Sequence, residues 1–197
     1  MHSPESQVII PARRAFIARS SHLSLSAAAV ALLAGASGGA RAQGSSAMAS
    51  DVGILNVALG LEHEAIAAYG LGAGSGLLKG GVLDVAVTFQ SHHKAHRDAL
   101  IATIEKLGGK PVAEKSMDSY AKALNAGSIR SANDILMLAA RLELGATNAY
   151  LGVIPSLKDN KLGQVAARLA ADETMHYTAL LGALGQNLPS GALSFGA

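Results

Sequence analysis

The feature that most constrains the fold of this chain is an internal duplication of an amphipathic segment. Residues 54–69 (ILNVALGLEHEAIAAY) align without a gap with residues 135–150 (ILMLAARLELGATNAY), and eight of the sixteen positions are identical. In both copies the apolar residues recur every three or four positions, as they do in a helix with one buried face. A chain of 197 residues has the size of one domain, so the repeat predicts two copies of one helical unit around a common core.

A second helical segment follows each copy, so the repeated unit is a helical hairpin. Residues 96–100 align with residues 176–180 at an offset of 80, close to the offset of 81 between the first segments. A capping-box pattern at Ser131–Asp134 predicts the start of the third helix, and Pro155 predicts its end. The four predicted helices therefore span approximately residues 51–69, 82–107, 131–154 and 159–184.

The segments between these helices predict how the hairpins connect. Residues 70–81 contain six glycines in twelve positions, which predicts a loop or a broken turn. Residues 110–130 are polar and predict a long crossover with one short helix at about 118–124. Few aromatic residues and no Trp also favour helices over a β-sandwich. The predicted fold class is all-α: an antiparallel four-helix bundle made of two duplicated helical hairpins joined by a long crossover.

The first 42 residues have the organisation of a cleaved export signal. Arg13-Arg14 precedes an apolar, Ala-rich stretch at about residues 23–34, and Ala40-Arg41-Ala42 follows as a cleavage motif. Arg13-Arg14-Ala15-Phe16-Ile17 resembles the twin-arginine motif, which implies export of a folded protein by the twin-arginine machinery to the periplasm or beyond. We expect cleavage after Ala42 and a mature protein that is not integral to the membrane. The alternatives are ordinary secretion, or an amphipathic or membrane-anchoring N-terminal helix.

The remaining residues predict one domain between two loose ends. We expect a flexible spacer at residues 43–50, the bundle at residues 51–185 and a loose tail at residues 186–197. Four of the 16 basic residues and one of the 14 acidic residues lie in the first 42 positions, which leaves 12 basic and 13 acidic residues. This balance predicts no binding to nucleic acid. The absence of Cys excludes thiolate ligands, so nitrogen and oxygen atoms must hold any metal ion.

Six ionisable side chains lie on the apolar faces of the predicted helices. Glu62 and Glu143 occupy equivalent positions in the two copies of the first helix. In the last helix a Glu and a His three positions apart share one face, and two His residues stand at the equivalent positions of the second helix. Buried carboxylates are costly unless they are paired or bind a metal ion. Because each residue is near the middle of its helix, we predict one metal site formed by Glu62, His93, His96, Glu143, Glu173 and His176.

This arrangement resembles the ferritin-like superfamily, over about residues 51–184. Glu62, His96, Glu143 and Glu173-x-x-His176 stand at the family's ligand positions, which implies a di-iron or di-manganese carboxylate site. His93 stands where the family has its second helix-borne Glu, and an imidazole does not bridge two metal ions as a carboxylate does. The set can hold one metal ion, an asymmetric pair, or a softer metal such as zinc or copper.

Other polar and aromatic residues near these six are predicted to lie outside the set of metal ligands. His92 and Asp172 are one step off the ligand face, so we expect them at the surface or in contact with a ligand. Tyr69 and Tyr150 follow their Glu by seven residues and pack in the core, hydrogen-bond to a ligand or have a redox role. His63 lies away from the apolar stripe and is predicted to face solvent.

The resemblance implies a redox metalloprotein that oxidises or stores iron, or removes peroxide, with iron or manganese as the metal and oxygen or peroxide as a partner. Its catalytic residues are not identified by the sequence. The alternative is a non-enzymatic envelope stress or interaction protein whose metal site is structural or degenerate. No nucleophile triad or phosphate loop accompanies the histidines. We expect a monomer or dimer, because nothing specifies the interfaces of a storage shell.

Overall fold

The computed structural model describes residues 43–191, and five α-helices account for most of them. The predicted all-α class is confirmed. The predicted signal peptide and residues 192–197 of the predicted tail lie outside the described residues. Short 3₁₀ turns occupy Ala126–Ser128 and Ile154–Ser156. The helices are α1 (Gln43–Gly74), α2 (Gly80–Lys106), α3 (Met117–Ala123), α4 (Ala132–Val153) and α5 (Asn160–Ala183).

The four long helices form two hairpins that pack face to face. Helix α1 packs along α2, and α4 packs along α5, each pair being joined by a short link that makes its helices antiparallel neighbours. Contacts between α1 and α4 and between α2 and α5 bring the hairpins together. The crossover between α2 and α4 contains α3, which packs on α1. None of the helices within residues 43–191 has the length and hydrophobicity of a membrane span.

Helix α1 is longer at its N-terminus than the sequence pattern suggests. Residues 43–50, expected to form a flexible spacer, are helical instead. This segment contains one Gly but no Pro, so no residue in it is sterically excluded from a helix. Met48, Ala49 and Ser50 are exposed and therefore contribute little to the core.

More than half of the Gly-rich segment after Tyr69 is helical, so the connection predicted at residues 70–81 is shorter than expected. Helix α1 continues to Gly74, and only residues 75–79 link it to α2. A Cβ atom at Gly72 would lie 2.9 Å from Cγ2 of Ile135, and one at Gly70 would lie 3.1 Å from Nε2 of Gln90. These glycines are therefore explained by close helix packing rather than by chain reversal.

Two acidic residues stabilise helix starts. Asp134 does so at the predicted capping box, and Asp51 does so by a contact with a distant part of the chain. Ser131 and Asp134 form the predicted capping box at the start of α4. Asp51, at the predicted start of the first helix, is instead buried inside α1. Its carboxylate accepts hydrogen bonds from the backbone N–H groups of Lys158 at 2.8 Å and Asp159 at 3.0 Å. Asp51 thus connects α1 to the link between α4 and α5.

The start of the crossover is held against α1 by two polar side chains. The amide of Asn56 donates to the Lys110 carbonyl at 3.1 Å and accepts from the Val112 N–H at 2.7 Å. Nε2 of His63 lies 3.2 Å from the Val112 carbonyl oxygen. His63 is buried beneath the crossover, so the prediction that it faces solvent is wrong. A helical wheel of α1 does not show that a later segment covers this face.

The apolar core consists of two main clusters separated by a polar layer. Each cluster draws on all four long helices, so the polar side chains between them are enclosed within the bundle. The first cluster includes Leu59, Leu100, Ile104, Tyr150 and Leu169. The second cluster includes Tyr69, Leu78, Phe89, Leu136 and Leu180.

Candidate metal centre

The structure brings all six residues of the predicted site together in the polar layer. Helix α1 contributes one Glu, α4 contributes one Glu, and α2 and α5 each contribute two residues on one face. All are buried, the most exposed being His96 at 8 %. The cluster consists of Glu62, His93, His96, Glu143, Glu173 and His176.

His93 lies at the centre of the cluster and contacts all three carboxylates. Its Nδ1 is 2.8 Å from Oε2 of Glu62, and its Nε2 is 3.2 Å from Oε1 of Glu143. The same Nε2 is 3.8 Å from Oε2 of Glu173. The imidazole therefore occupies the space between carboxylates of three different helices.

Glu173 lies between the two remaining histidines. Its Oε1 is 3.3 Å from Nδ1 of His96, and its Oε2 is 3.1 Å from Nδ1 of His176. Nδ1 of His96 is also 3.7 Å from Glu62, and Nδ1 of His176 is 3.4 Å from Glu143. Each of these histidines thus directs its Nδ1 inwards, towards Glu173 and one further carboxylate.

The six residues form two overlapping groups of four. Within each group, one candidate ligand atom from every residue lies within 4.8 Å of the others. His93 and Glu173 belong to both groups; Glu62 and His96 complete one, and Glu143 and His176 complete the other. The two oxygens of a carboxylate can bind a metal ion in each group at once, whereas one imidazole nitrogen binds a single metal ion. The geometry therefore provides two adjacent candidate positions for a metal ion, and their ligand sets are not equivalent.

The hydrogen bonding of the cluster fits a metal ion. Oε2 of Glu143, Oε1 of Glu173 and Nδ1 of His96 are buried and make no hydrogen bond of normal geometry within the described part of the chain, although Glu173 Oε1 lies 3.3 Å from His96 Nδ1 and Glu143 Oε2 lies 3.4 Å from His176 Nδ1. Buried polar atoms are normally hydrogen-bonded, so these poorly paired atoms are available to bind a metal ion. Nitrogen and oxygen donors of this kind suit iron, manganese and zinc. The cluster is compatible with metal binding.

Without a metal ion, the histidines are held in their charged form. Burial lowers the pKa of His93, but hydrogen bonds to Glu143 and Glu62 outweigh it and raise the pKa to about 10. Burial likewise opposes protonation of His96, and contacts with Glu173 and Glu62 raise its pKa to about 10. The same balance raises the pKa of His176.

The carboxylates differ from one another in their affinity for protons. Burial opposes ionisation of Glu62 and Glu143, yet hydrogen bonds with the histidines keep the pKa of both below its ordinary value. Burial raises the pKa of Glu173, which also contacts Glu143. Glu173 is therefore the carboxylate that most readily carries a proton.

Two tyrosines hydrogen-bond to the carboxylates across the repeat. Tyr69 of the first hairpin donates to Oε1 of Glu143 at 2.5 Å, and Tyr150 of the second hairpin donates to Oε1 of Glu62. Burial and the neighbouring negative charges raise the pKa of both phenols, so both remain protonated donors. Of the roles that the sequence leaves open, core packing and the hydrogen bond to a candidate ligand are both observed. The pairing of each Tyr with the opposite Glu could not be seen in either copy alone.

The outward-facing nitrogens of two histidines contact residues at the edge of the cluster. Nε2 of His96 is 3.2 Å from Oδ2 of Asp172, and Nε2 of His176 is 2.9 Å from Nδ1 of His92. Histidines that bind metal commonly donate their second N–H to such a partner, which fixes the ring orientation. His92 and Asp172 occupy equivalent positions in the repeat, so the two histidines are oriented by partners of different chemistry.

One aromatic contact at the cluster was not predicted. The ring of Phe89 stacks on His176 with a centroid distance of 4.1 Å. Phe89 precedes His93 by four residues and therefore lies on the same face of α2. This spacing is the sequence feature that could have placed Phe89 next to the cluster.

Comparison with known proteins establishes the family. Residues 50–186 match the sequence profile described as Ferritin-like domain. The chain belongs to the ferritin-like domain family. This confirms the resemblance inferred from the duplicated Glu and His pattern.

The fold of the ferritin-like domain is shared with a solved structure. This chain is similar to a conserved hypothetical protein, rv2844, from Mycobacterium tuberculosis, with a TM-score of 0.59 and 23 % sequence identity. The similarity covers 69 % of this chain and 98 % of the other. No curated protein matches the sequence of this chain.

Proposed function

We propose that this ferritin-like protein binds iron or manganese in the cluster and uses it in redox chemistry, oxidising ferrous iron or removing peroxide. The observation that carries the proposal is the pair of overlapping donor groups that share Glu173 and His93. Buried oxygen and nitrogen atoms that lack a hydrogen bond of normal geometry within the same groups support it. Family membership supports it at the level of the fold.

The side chains of the cluster have distinct roles in this proposal. A bound iron or manganese ion would supply the one-electron redox chemistry that no side chain here provides. Glu62, Glu143 and Glu173 would hold the metal by their oxygens, and His96 and His176 by their inward nitrogens. His93 belongs to both groups and would serve as an imidazole ligand in one of them. The apolar clusters above and below exclude water from the site.

Tyr69 and Tyr150 position the carboxylates rather than bind the ion. Each phenol occupies one oxygen of a Glu and leaves the second oxygen for the centre. Their protons stay on the phenols because the pKa of both is raised.

We also propose that the protein acts outside the cytoplasm. The support is the Arg13-Arg14 motif, the apolar stretch after it and the Ala40-Arg41-Ala42 cleavage pattern. Twin-arginine export carries folded proteins, so the metal ion would be inserted before transport. Residues 43–191, which contain the whole cluster, would remain after cleavage.

A second candidate is a non-enzymatic envelope stress protein with a structural or degenerate site. The observation that favours it is the contact of His93 with Glu62 and Glu143, since a protonated imidazole balances the carboxylates without a metal ion. In this case the cluster is an ion-pair network inside the bundle. The two candidates differ in whether the purified protein consumes a redox substrate.

Aerobic oxidation of ferrous iron by the purified protein, followed by absorbance and oxygen consumption, tests the first candidate. We expect oxidation well above the buffer rate, and its loss in Glu143→Gln. Glu64→Gln is the matched control, because Glu64 is on the same helix as Glu62 but outside both donor groups. A wild-type rate equal to buffer with both ferrous iron and peroxide would exclude the redox function and favour the second candidate.

A further inference from the structure

A cavity of about 180 Å³ lies at the end of the bundle that contains the second apolar cluster. All four long helices line it, from Tyr69 on α1 to Ala183 at the end of α5. Val85 of α2 also lines it and is 38 % exposed, so within residues 43–191 the cavity is accessible from solvent. It is separate from the six residues of the candidate metal centre, none of which lines it.

The walls of the cavity are apolar. Tyr69 is the one lining residue with a polar side chain, and its hydroxyl donates to Glu143. An ordered water molecule needs two to four polar partners, and these walls do not supply them. An apolar cavity of about 150 Å³ is large enough to hold one benzene molecule. Size and polarity therefore both select a small apolar occupant.

A comparison of the two repeats shows that two residues lining the cavity are smaller than their counterparts. The position of Val82 corresponds to Leu162 in the other hairpin, and that of Ala183 corresponds to Thr103. Leu162 is buried in the first apolar cluster. The cavity is thus bordered by smaller side chains at positions where the other repeat has larger ones.

We propose that this cavity binds one small apolar molecule of about the size of benzene, such as a single hydrocarbon ring or a short alkane. The ring of Tyr69 separates the occupant from the cluster and stacks on His93 with a centroid distance of 5.4 Å. The bound molecule would therefore lie one aromatic ring away from the candidate metal centre. Binding requires no metal ion, so this proposal stands independently of the proposed function.

Benzene binding to the chelator-treated full-length protein tests the proposal, by thermal unfolding and by ligand-observed NMR. At a benzene concentration about tenfold above its Kd, we expect the Tm to rise by about 3–5 °C. The double variant Val82→Leu with Ala183→Thr introduces the side chains of the other repeat and should abolish the rise. Val87→Leu is the matched control, because Val87 is on α2, is 53 % exposed and does not line the cavity.

Three results would overturn the proposal. The first is no NMR signal and no change in Tm with wild-type protein. The second is equal binding by the filled double variant, provided that its unliganded Tm shows it to be folded. The third is benzene binding that appears only when Phe195 of the C-terminal tail is changed to Ala (Phe195→Ala). That result would mean that the tail, rather than a small molecule, occupies the cavity.

Discussion

At the scale of single residues, the cluster pairs protonated histidines with ionised carboxylates. A metal ion that binds there would have to displace the protons of the histidines. Three carboxylates surround His93, and each outer histidine contacts two of them. A metal ion needs neutral imidazoles and ionised carboxylates, so loading should release the protons that the histidines hold. The charge pairing also links the stability of the metal-free protein to pH.

We predict that the Tm of the chelator-treated protein falls as the pH rises above neutrality. The pKa of His93 and His96 is about 10 in the fold and 6.5 in the reference state, so their stabilising contribution is complete below pH 6.5. It is lost as the pH rises through 10. Scanning calorimetry from about pH 6 to 10 should show a decrease of at least about 5 °C.

The carboxylates determine how the Tm of the metal-free protein changes at acid pH. The pKa of Glu62 and Glu143 is lowered from 4.5, so their contribution is present above that pH and is lost on acidification. The metal-free protein should therefore be most stable between about pH 4.5 and 6.5. A Tm that stays constant or rises up to pH 10 would contradict the assignment of charged histidines.

The six residues of the cluster could be predicted because the repeat places equivalent polar groups on apolar faces. Their individual contacts could not, since a helical wheel does not show which rotamer meets which carboxylate. The burial of His63 was missed because the covering residue, Val112, belongs to a crossover without a periodic pattern. The roles of Tyr69 and Tyr150 depend on the packing of one hairpin against the other.

At the scale of helices, glycine content misled the prediction of where α1 ends. Gly70 and Gly72 lie within the helix and allow close approach of α2 and α4. Glycine lowers helix propensity by only about 1 kcal/mol, and packing of the bundle overcomes this. The capping box of Ser131, in contrast, is a local signal and was predicted correctly.

We predict opposite effects for two Gly→Ala substitutions in α1. Gly72→Ala places a Cβ 2.9 Å from Ile135, so it should destabilise the protein by about 1–3 kcal/mol. Gly60→Ala meets nothing within 4 Å and should stabilise the protein by about 0.5–1 kcal/mol. The free energy of unfolding in urea measures both. Equal stabilisation by the two variants would show that Gly72 is not required for packing.

At the scale of the whole molecule, the hairpins are joined by buried polar contacts as well as by the apolar clusters. Asp51 accepts two backbone hydrogen bonds from residues more than a hundred positions away. The sequence indicates an acid at a helix start here, and long-range contacts of this kind are not visible in a local pattern. The duplication, however, was sufficient to predict the bundle and its crossover.

We predict that Asp51→Ala destabilises the fold by about 2–4 kcal/mol, because it leaves two backbone N–H groups without an acceptor. Asp84→Ala is the control, since Asp84 is exposed and its change should alter stability by less than about 0.5 kcal/mol. Urea unfolding of both variants measures the difference. Similar stability of the two variants would show that the contact between α1 and the link before α5 is dispensable.

The central claim is that the cluster binds metal through ligands that include Glu173. Elemental analysis of the protein after anaerobic loading with ferrous iron and removal of unbound metal tests it most directly. We predict one to two metal ions per chain in wild type and in Glu64→Gln, and a large loss in Glu173→Gln. Less than about 0.1 metal ion per wild-type chain, with either iron or manganese, would contradict the account.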